Sequence, residues 1–169
     1  QWSYDDVWSD GWVIGPNMTL HRIDIQGYRS LRNVTIELGR LNVVTGPNGS
    51  GKSNLYRALW LIGRICEGNF ARSMCDEGGL LSTMWAGPRL SDKKPVRMTL
   101  GFQLDELSFQ LTCGFPAPSP SRFCFDPEIK DEVVWLGRQR RPSTTLLERS
   151  AGNTWIREVS GEKVDYPLE

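Results

Sequence analysis

The chain has 169 residues, 39% of them apolar and 24% charged, with 20 basic and 20 acidic side chains that cancel. That is enough chain for one domain with a real core, and it argues against a disordered protein. No apolar run reaches the roughly 20 residues needed to span a bilayer, and a balanced net charge is not the electrostatic footprint of a dedicated nucleic-acid binder.

The start of the chain is acidic and aromatic rather than basic and then apolar, so it does not read as a signal peptide and the expected compartment is the cytoplasm. The four cysteines, Cys66, Cys75, Cys113 and Cys124, form no CxxC pair, and His21 is the single histidine. Neither a structural zinc site nor a disulfide framework fits this pattern, and buried or half-buried free thiols are expected.

Residues 1–17 have no clear helical or strand period and differ in texture from the rest of the chain. They read as an N-terminal extension, either expression-derived or a native arm in which Trp2, Trp8 and Trp12 could act as aromatic anchors. From Met18 a regular pattern begins. Leu20, Ile23 and Ile25 suggest a first strand. Val34, Ile36 and Leu38 alternate with Thr35 and Glu37 as a half-buried second strand does. Gly39 and Arg40 make a turn, and Leu41–Val44 is an apolar run suited to a buried central strand.

The next eight residues, Gly46-Pro47-Asn48-Gly49-Ser50-Gly51-Lys52-Ser53, fit the phosphate-loop pattern G-x-x-x-x-G-K-[ST] without a mismatch. Its glycines allow backbone conformations that a Cβ would block. Successive N–H groups can then form an anion nest, to which the positive end of the following helix adds. Lys52 is placed to reach the β- and γ-phosphates of ATP as a point charge, and it is the candidate catalytic residue. The hydroxyl of Ser53 is the candidate Mg²⁺ ligand, and Asn54 comes next as a further nucleotide-binding candidate. Leu55, Leu59, Ile62 and Cys66 recur at helical spacing, which predicts a helix over about 52–66.

Residues 67–90 mix helix-like stretches with breaks at Gly78-Gly79 and Gly87-Pro88. Strict alternation from Val96 to Leu104, repeated by Phe109, Leu111 and Cys113, predicts a hairpin turning at Asp105-Glu106. A loop covers 116–121. Further short strands are expected near Val133–Leu136, Thr154–Val159 and Lys163–Tyr166. Arg138, Arg140 and Arg141 form the one tight basic cluster, which suits either phosphate contact or a solvated loop.

The stretch LHRIDIQGYRSLRNVTIELGRLNVVTGPNGSGKSNLYRALWLI resembles the opening of RecF/SMC-type ATPases of the ABC superfamily, and is similar to bacterial AAA-family or OLD-like ATPases. Tyr28-Arg29-Ser30-Leu31 and residues 48–53 carry the likeness, which is close over about 18–65. The resemblance implies an α/β fold: a P-loop NTPase (ABC-ATPase-like) half-domain with an attached antiparallel β subdomain. The corresponding divisions are an extension at 1–17, a P-loop α/β lobe at 18–94 and an antiparallel β-rich part of the same head at 95–169.

It further implies an ATP-dependent dimerisation switch, with ATP and Mg²⁺ held between two copies of the head. DNA maintenance or phage defence would be the coupled task, with DNA as a possible partner and no membrane. Arg29 is a nucleotide-binding candidate on the same footing, and Asn48 lies near the γ-phosphate. The family's Ser-Gly-Gly signature, Walker B strand and switch histidine have no counterpart in the sequence, so the chain reads as the N-terminal half of a larger ATPase. Gln103 and Gln110 are not assigned to a Q-loop. Two alternatives stand beside this reading. One is a catalytically incomplete assembly module, and the other is an AAA+ type enzyme with its Walker B pair at Asp105-Glu106.

Overall fold

A computed structural model describes residues 18–85, 87, 95–117, 127–150, 153–157 and 163–166. The segment 1–17, with its three tryptophans, therefore lies outside the described residues, as do Cys124 and most of the 116–121 loop.

Two strands open the fold, β1 (Leu20–Tyr28) and β2 (Leu31–Glu37), followed by helix α1 (Lys52–Cys66), short helices α2 (Phe70–Asp76) and α3 (Gly79–Thr83), and six more strands. These are β3 (Arg97–Leu104), β4 (Leu107–Gly114), β5 (Glu128–Leu136), β6 (Thr145–Ser150), β7 (Asn153–Arg157) and β8 (Lys163–Tyr166). All eight strands form one antiparallel sheet in the order β2-β1-β3-β4-β5-β6-β7-β8. Among the pairings of the described strands, only β1–β3 joins strands that are not consecutive in the chain. It encloses the whole helical segment.

Alternation explains the sheet. Ile23 faces Ile36 on β2 and Phe102 on β3, Phe102 faces Phe109, Phe109 faces Val134, and Val134 faces Leu147. One apolar row thus crosses the strands, and the rings of Phe102 and Phe109 stack with centroids 5.1 Å apart. A second row, Ile25–Leu100–Leu111, runs beside it. Helix α1 covers the β1–β3–β4 part of this face with Leu55, Ala58, Leu61 and Ile62, all buried in the same core as Ile23, Ile25, Leu100 and Leu111. Each such large aliphatic side chain contributes roughly 1.5–3 kcal/mol by leaving water. Gly27 is required where β1 passes β3, since a Cβ there would sit 2.4 Å from the Arg97 carbonyl oxygen.

The predicted helix and hairpin form with the expected bounds. Asp105-Glu106 makes the hairpin turn, with Asp105 in the left-handed region at φ 45°. Its carboxylate accepts from the Thr19 N–H and pairs with His21 Nε2 at 3.1 Å. The expectation for Leu41–Val44 fails. The segment is not a strand, and Leu41, Val43 and Val44 are 86%, 77% and 39% exposed. A run with that composition becomes a central strand only with neighbours on both sides, and none of the eight strands is paired to it. The thiols also divide differently from expectation. Cys66 and Cys75 are exposed, whereas Cys113 is buried and its thiol is pushed up to about 12.

Tyr28 ends β1 with a fully buried side chain. Burial, and then the Glu77 carboxylate that accepts its O–H at 2.6 Å, hold the phenol well above the ordinary tyrosine range. In the unfolded chain that proton leaves at about pH 10, while the folded chain keeps it, so stability falls as pH rises beyond this value. Urea unfolding of Tyr28→Phe should accordingly lose less of its midpoint than the parent between about pH 9 and 11. Equal losses in both proteins would show that Tyr28 does not contribute to the alkaline limb.

Candidate functional site

The phosphate-loop residues lie between the end of β2 and the start of α1. Before them, Asn42 closes the turn after β2 by accepting from the Gly39 N–H at 3.0 Å and donating to the Gly39 carbonyl at 2.9 Å. Inside the loop, the Ser50 N–H donates to the Pro47 carbonyl at 3.3 Å. Gly51 then enters the helix as its N-cap with φ 96°, a conformation that favours glycine.

Among the described residues no side chain caps this helix, and its first turn holds no acidic residue. The first-turn N–H groups and the positive end of a 15-residue helix therefore face the loop without a competing protein anion. Lys52 is folded back over the loop. Its ammonium donates to the carbonyls of Gly46 at 2.7 Å and Pro47 at 2.8 Å. A phosphate would exchange these neutral acceptors for charged ones, which bind an ammonium more strongly. Ser53 is exposed beside Lys52, and Asn54 is half-buried.

Sequence reasoning did not identify how the β1–β2 turn meets this loop. Asn54 Nδ2 donates to Ser30 Oγ at 2.8 Å. That same hydroxyl oxygen would lie 2.9 Å from a Cβ on Gly51. Ser30 is therefore packed on the helix start, and the Tyr28-Arg29-Ser30-Leu31 turn is one wall of the loop. Arg29 points elsewhere. Its guanidinium donates to Glu77 Oε2 at 3.1 and 2.8 Å and to the Glu77 carbonyl at 3.4 Å. Glu77 carried no signal in the sequence, since it falls in a polar run between two helix-like stretches.

The remaining candidates lie apart from this constellation. Asp105 is engaged by Thr19 and His21 at the start of β1. In the basic cluster, Arg138 pairs with Glu37, Arg140 pairs with Glu148 at 2.9 Å, and Arg141 donates to Gln139 Oε1 at 3.4 Å. Two of the three guanidiniums thus already have carboxylate partners on the sheet. No group of three or more His, Cys, Asp or Glu among the described residues could hold a metal ion. Among the same residues, no helix is long and apolar enough to cross a membrane.

Residues 18–82, which include the Gly46–Ser53 loop and helix α1, match the family described as AAA ATPase domain. The chain is also similar to the chromosome partition protein Smc of Desulfitobacterium hafniense, at 44% identity over 61 residues, which is 34% of this chain and 5% of that protein. The DNA replication and repair protein RecF of Psychromonas ingrahamii is 40% identical over 47 residues, 27% of this chain and 13% of that one. The OLD nuclease of Thermus scotoductus is 37% identical over 43 residues, 25% and 8% of the two chains. The resemblance to RecF/SMC-type and OLD-like ATPases is thereby borne out, and the chain spans only a small fraction of the length of these relatives.

Replacing Gly51 by alanine combines an unfavourable positive φ with a clash against Ser30 Oγ. Such strain costs on the order of 1–3 kcal/mol. Urea denaturation of Gly51→Ala should show a loss in this range. An unchanged midpoint would mean that the loop does not hold this conformation.

Proposed function

We propose that the chain is the ATP-binding N-terminal part of a larger RecF/SMC-like ATPase, built on a P-loop NTPase α/β half-domain with an antiparallel β-rich extension. The observation that carries this reading is the complete loop Gly46–Ser53 set against an uncapped helix start, with the Lys52 ammonium resting on loop carbonyls. In this reading Gly46, Pro47, Asn48, Gly49, Ser50 and Gly51 wrap the phosphates with their backbone. Lys52 moves from the carbonyls to the β- and γ-phosphates, and Asn54 steadies the loop wall through Ser30. Arg29 joins the nucleotide only by exchanging Glu77 for phosphate.

Mg²⁺ fits this site through the nucleotide. With no cluster of protein ligands among the described residues, the ion would be held by phosphate oxygens, water and the exposed Ser53 hydroxyl, the ligand set that Mg²⁺ favours. It would supply charge neutralisation between the phosphates.

The names of the relatives, chromosome partition and DNA replication and repair among them, support a coupled task in DNA maintenance. The likeness to an OLD nuclease leaves room for phage defence. The resemblance also supports two heads closing over ATP, a population shift in which the paired state binds nucleotide better. The groups that orient the attacking water then belong to other parts of the protein. The AAA+ alternative needs Asp105-Glu106 beside the phosphates, and the bonds of Asp105 to Thr19 and His21 argue against it.

Calorimetric titration should show binding of MgATP that weakens at least about tenfold in Lys52→Ala, the scale expected for losing a charge-assisted contact. Steady-state turnover by the chain alone should be negligible. Absence of MgATP binding would overturn the reading. Turnover that disappears in Glu106→Gln would transfer support to the AAA+ mechanism.

A further inference from the structure

We propose that Glu77 is a positioning residue of the phosphate loop, acting on it through the Tyr28–Leu31 turn. The proposal rests on reading Gly46–Ser53 as the nucleotide site, but its structural core can be tested without nucleotide.

Glu77 follows α2 and is remote in sequence from both the turn and the loop. Its side chain is only 7% exposed and that of Arg29 22%. A carboxylate so enclosed is tolerated only where it is paired and hydrogen-bonded. Three bonds converge on Oε2: from the Tyr28 hydroxyl at 2.6 Å, and from Arg29 Nε at 3.1 Å and Nη2 at 2.8 Å. Nη2 also reaches the Glu77 carbonyl at 3.4 Å. Glu77 thus grips two consecutive side chains of the turn.

The turn needs that grip. Arg29 sits at φ 45°, an uncommon conformation for a residue with a Cβ. Its N–H donates to the Thr83 carbonyl at 2.8 Å, and Tyr28 forms a bridge with Met84. Side chain and backbone of Arg29 are therefore both tied to the α2–α3 region, which holds the left-handed residue in place. Ser30 is the next residue. Its hydroxyl oxygen accepts from Asn54 and lies against Gly51 at the helix start. A continuous path of contacts runs from Glu77 through Arg29 and Ser30 to the N-terminus of α1, where the phosphate donors are.

Loosening Glu77 should let Arg29 leave the left-handed region and carry Ser30 away from Gly51. The loop would lose a wall while the α1 core packing stays in place. Nothing in the chemistry requires Glu77 to touch nucleotide, so its effect should depend on Ser30.

The test compares Glu77→Gln, which keeps volume and an acceptor, with Glu77→Ala. Amide hydrogen exchange of the ligand-free full chain should accelerate about tenfold at Arg29 and Ser50, whose N–H groups donate to the Thr83 and Pro47 carbonyls, in Glu77→Ala and less in Glu77→Gln, with Ala58–Ile62 unchanged. MgATP affinity should fall about tenfold in Glu77→Ala, and by less than about twofold when the same change is made in a Ser30→Ala background. Loop exchange equal to that of the parent overturns the proposal. So does acceleration spread evenly through α1, or an affinity loss undiminished by Ser30→Ala. If Glu77→Ala fails to fold, Glu77→Gln decides by the same readouts. If the parent binds no MgATP, the functional reading fails while the exchange data still decide the positioning role.

Discussion

The structure depends on helix α1 lying across one face of the β1–β3–β4 sheet. Leu55, Ala58, Leu61 and Ile62 share a core with Ile23, Ile25, Leu100 and Leu111, and this contact fixes where the helix begins. Because the helix axis is set by apolar burial further along, its first turn needs no cap of its own. The polar groups at Gly51 and Lys52 can therefore be kept for a ligand rather than spent on holding the helix. Core packing and the candidate phosphate site are thus separated along one element, with packing from Leu55 onward and the proposed site before it.

The same contact explains why β1 and β3 are neighbours although the whole helical segment lies between them in sequence. Closing so long a connection costs chain entropy that local hairpins avoid. The buried rows beneath α1 offset it. The later strands, β4 to β8, add one after another by short-range pairing, which is why the second half of the chain needs no helix to define its order. Its apolar row continues as Val134 and Leu147, half-buried.

Periodicity made much of this legible. The alternation around Phe102 and Phe109, and the helical spacing from Leu55 to Cys66, each record which face meets the core, and both elements form as expected. Leu41–Val44 shows the limit of the same reasoning. Four residues of strand-like composition before a phosphate loop specify a strand that would be buried, but composition cannot supply the strands that bury it, and the segment remains exposed. Strand β6 escaped the sequence reading for a related reason. Leu147 is an inward position, but Glu148, Arg149 and Ser150 beside it give a weak two-residue period, and pairing to β5 decides the outcome.

The candidate site is named in the sequence by its residue types and not by its supports. The string Gly46–Ser53 announces phosphate chemistry because backbone freedom, an ammonium and a hydroxyl are all required at fixed offsets. Ser30 is marked only as part of the Tyr28–Leu31 stretch that carries the family resemblance and Glu77 not at all, and the contacts of both arise only when the β1–β2 turn folds onto the helix start. A carboxylate between two short helices is ordinary in sequence. It becomes consequential when Tyr28 and Arg29 converge on it, because a buried charge cannot release its partners without a penalty. The phosphate loop is therefore held on two sides by different physics. Apolar packing through Leu55 anchors the helix behind it, and an enclosed ion pair steadies the turn beside it. The first sets where the loop is, and the second governs how firmly its wall is kept.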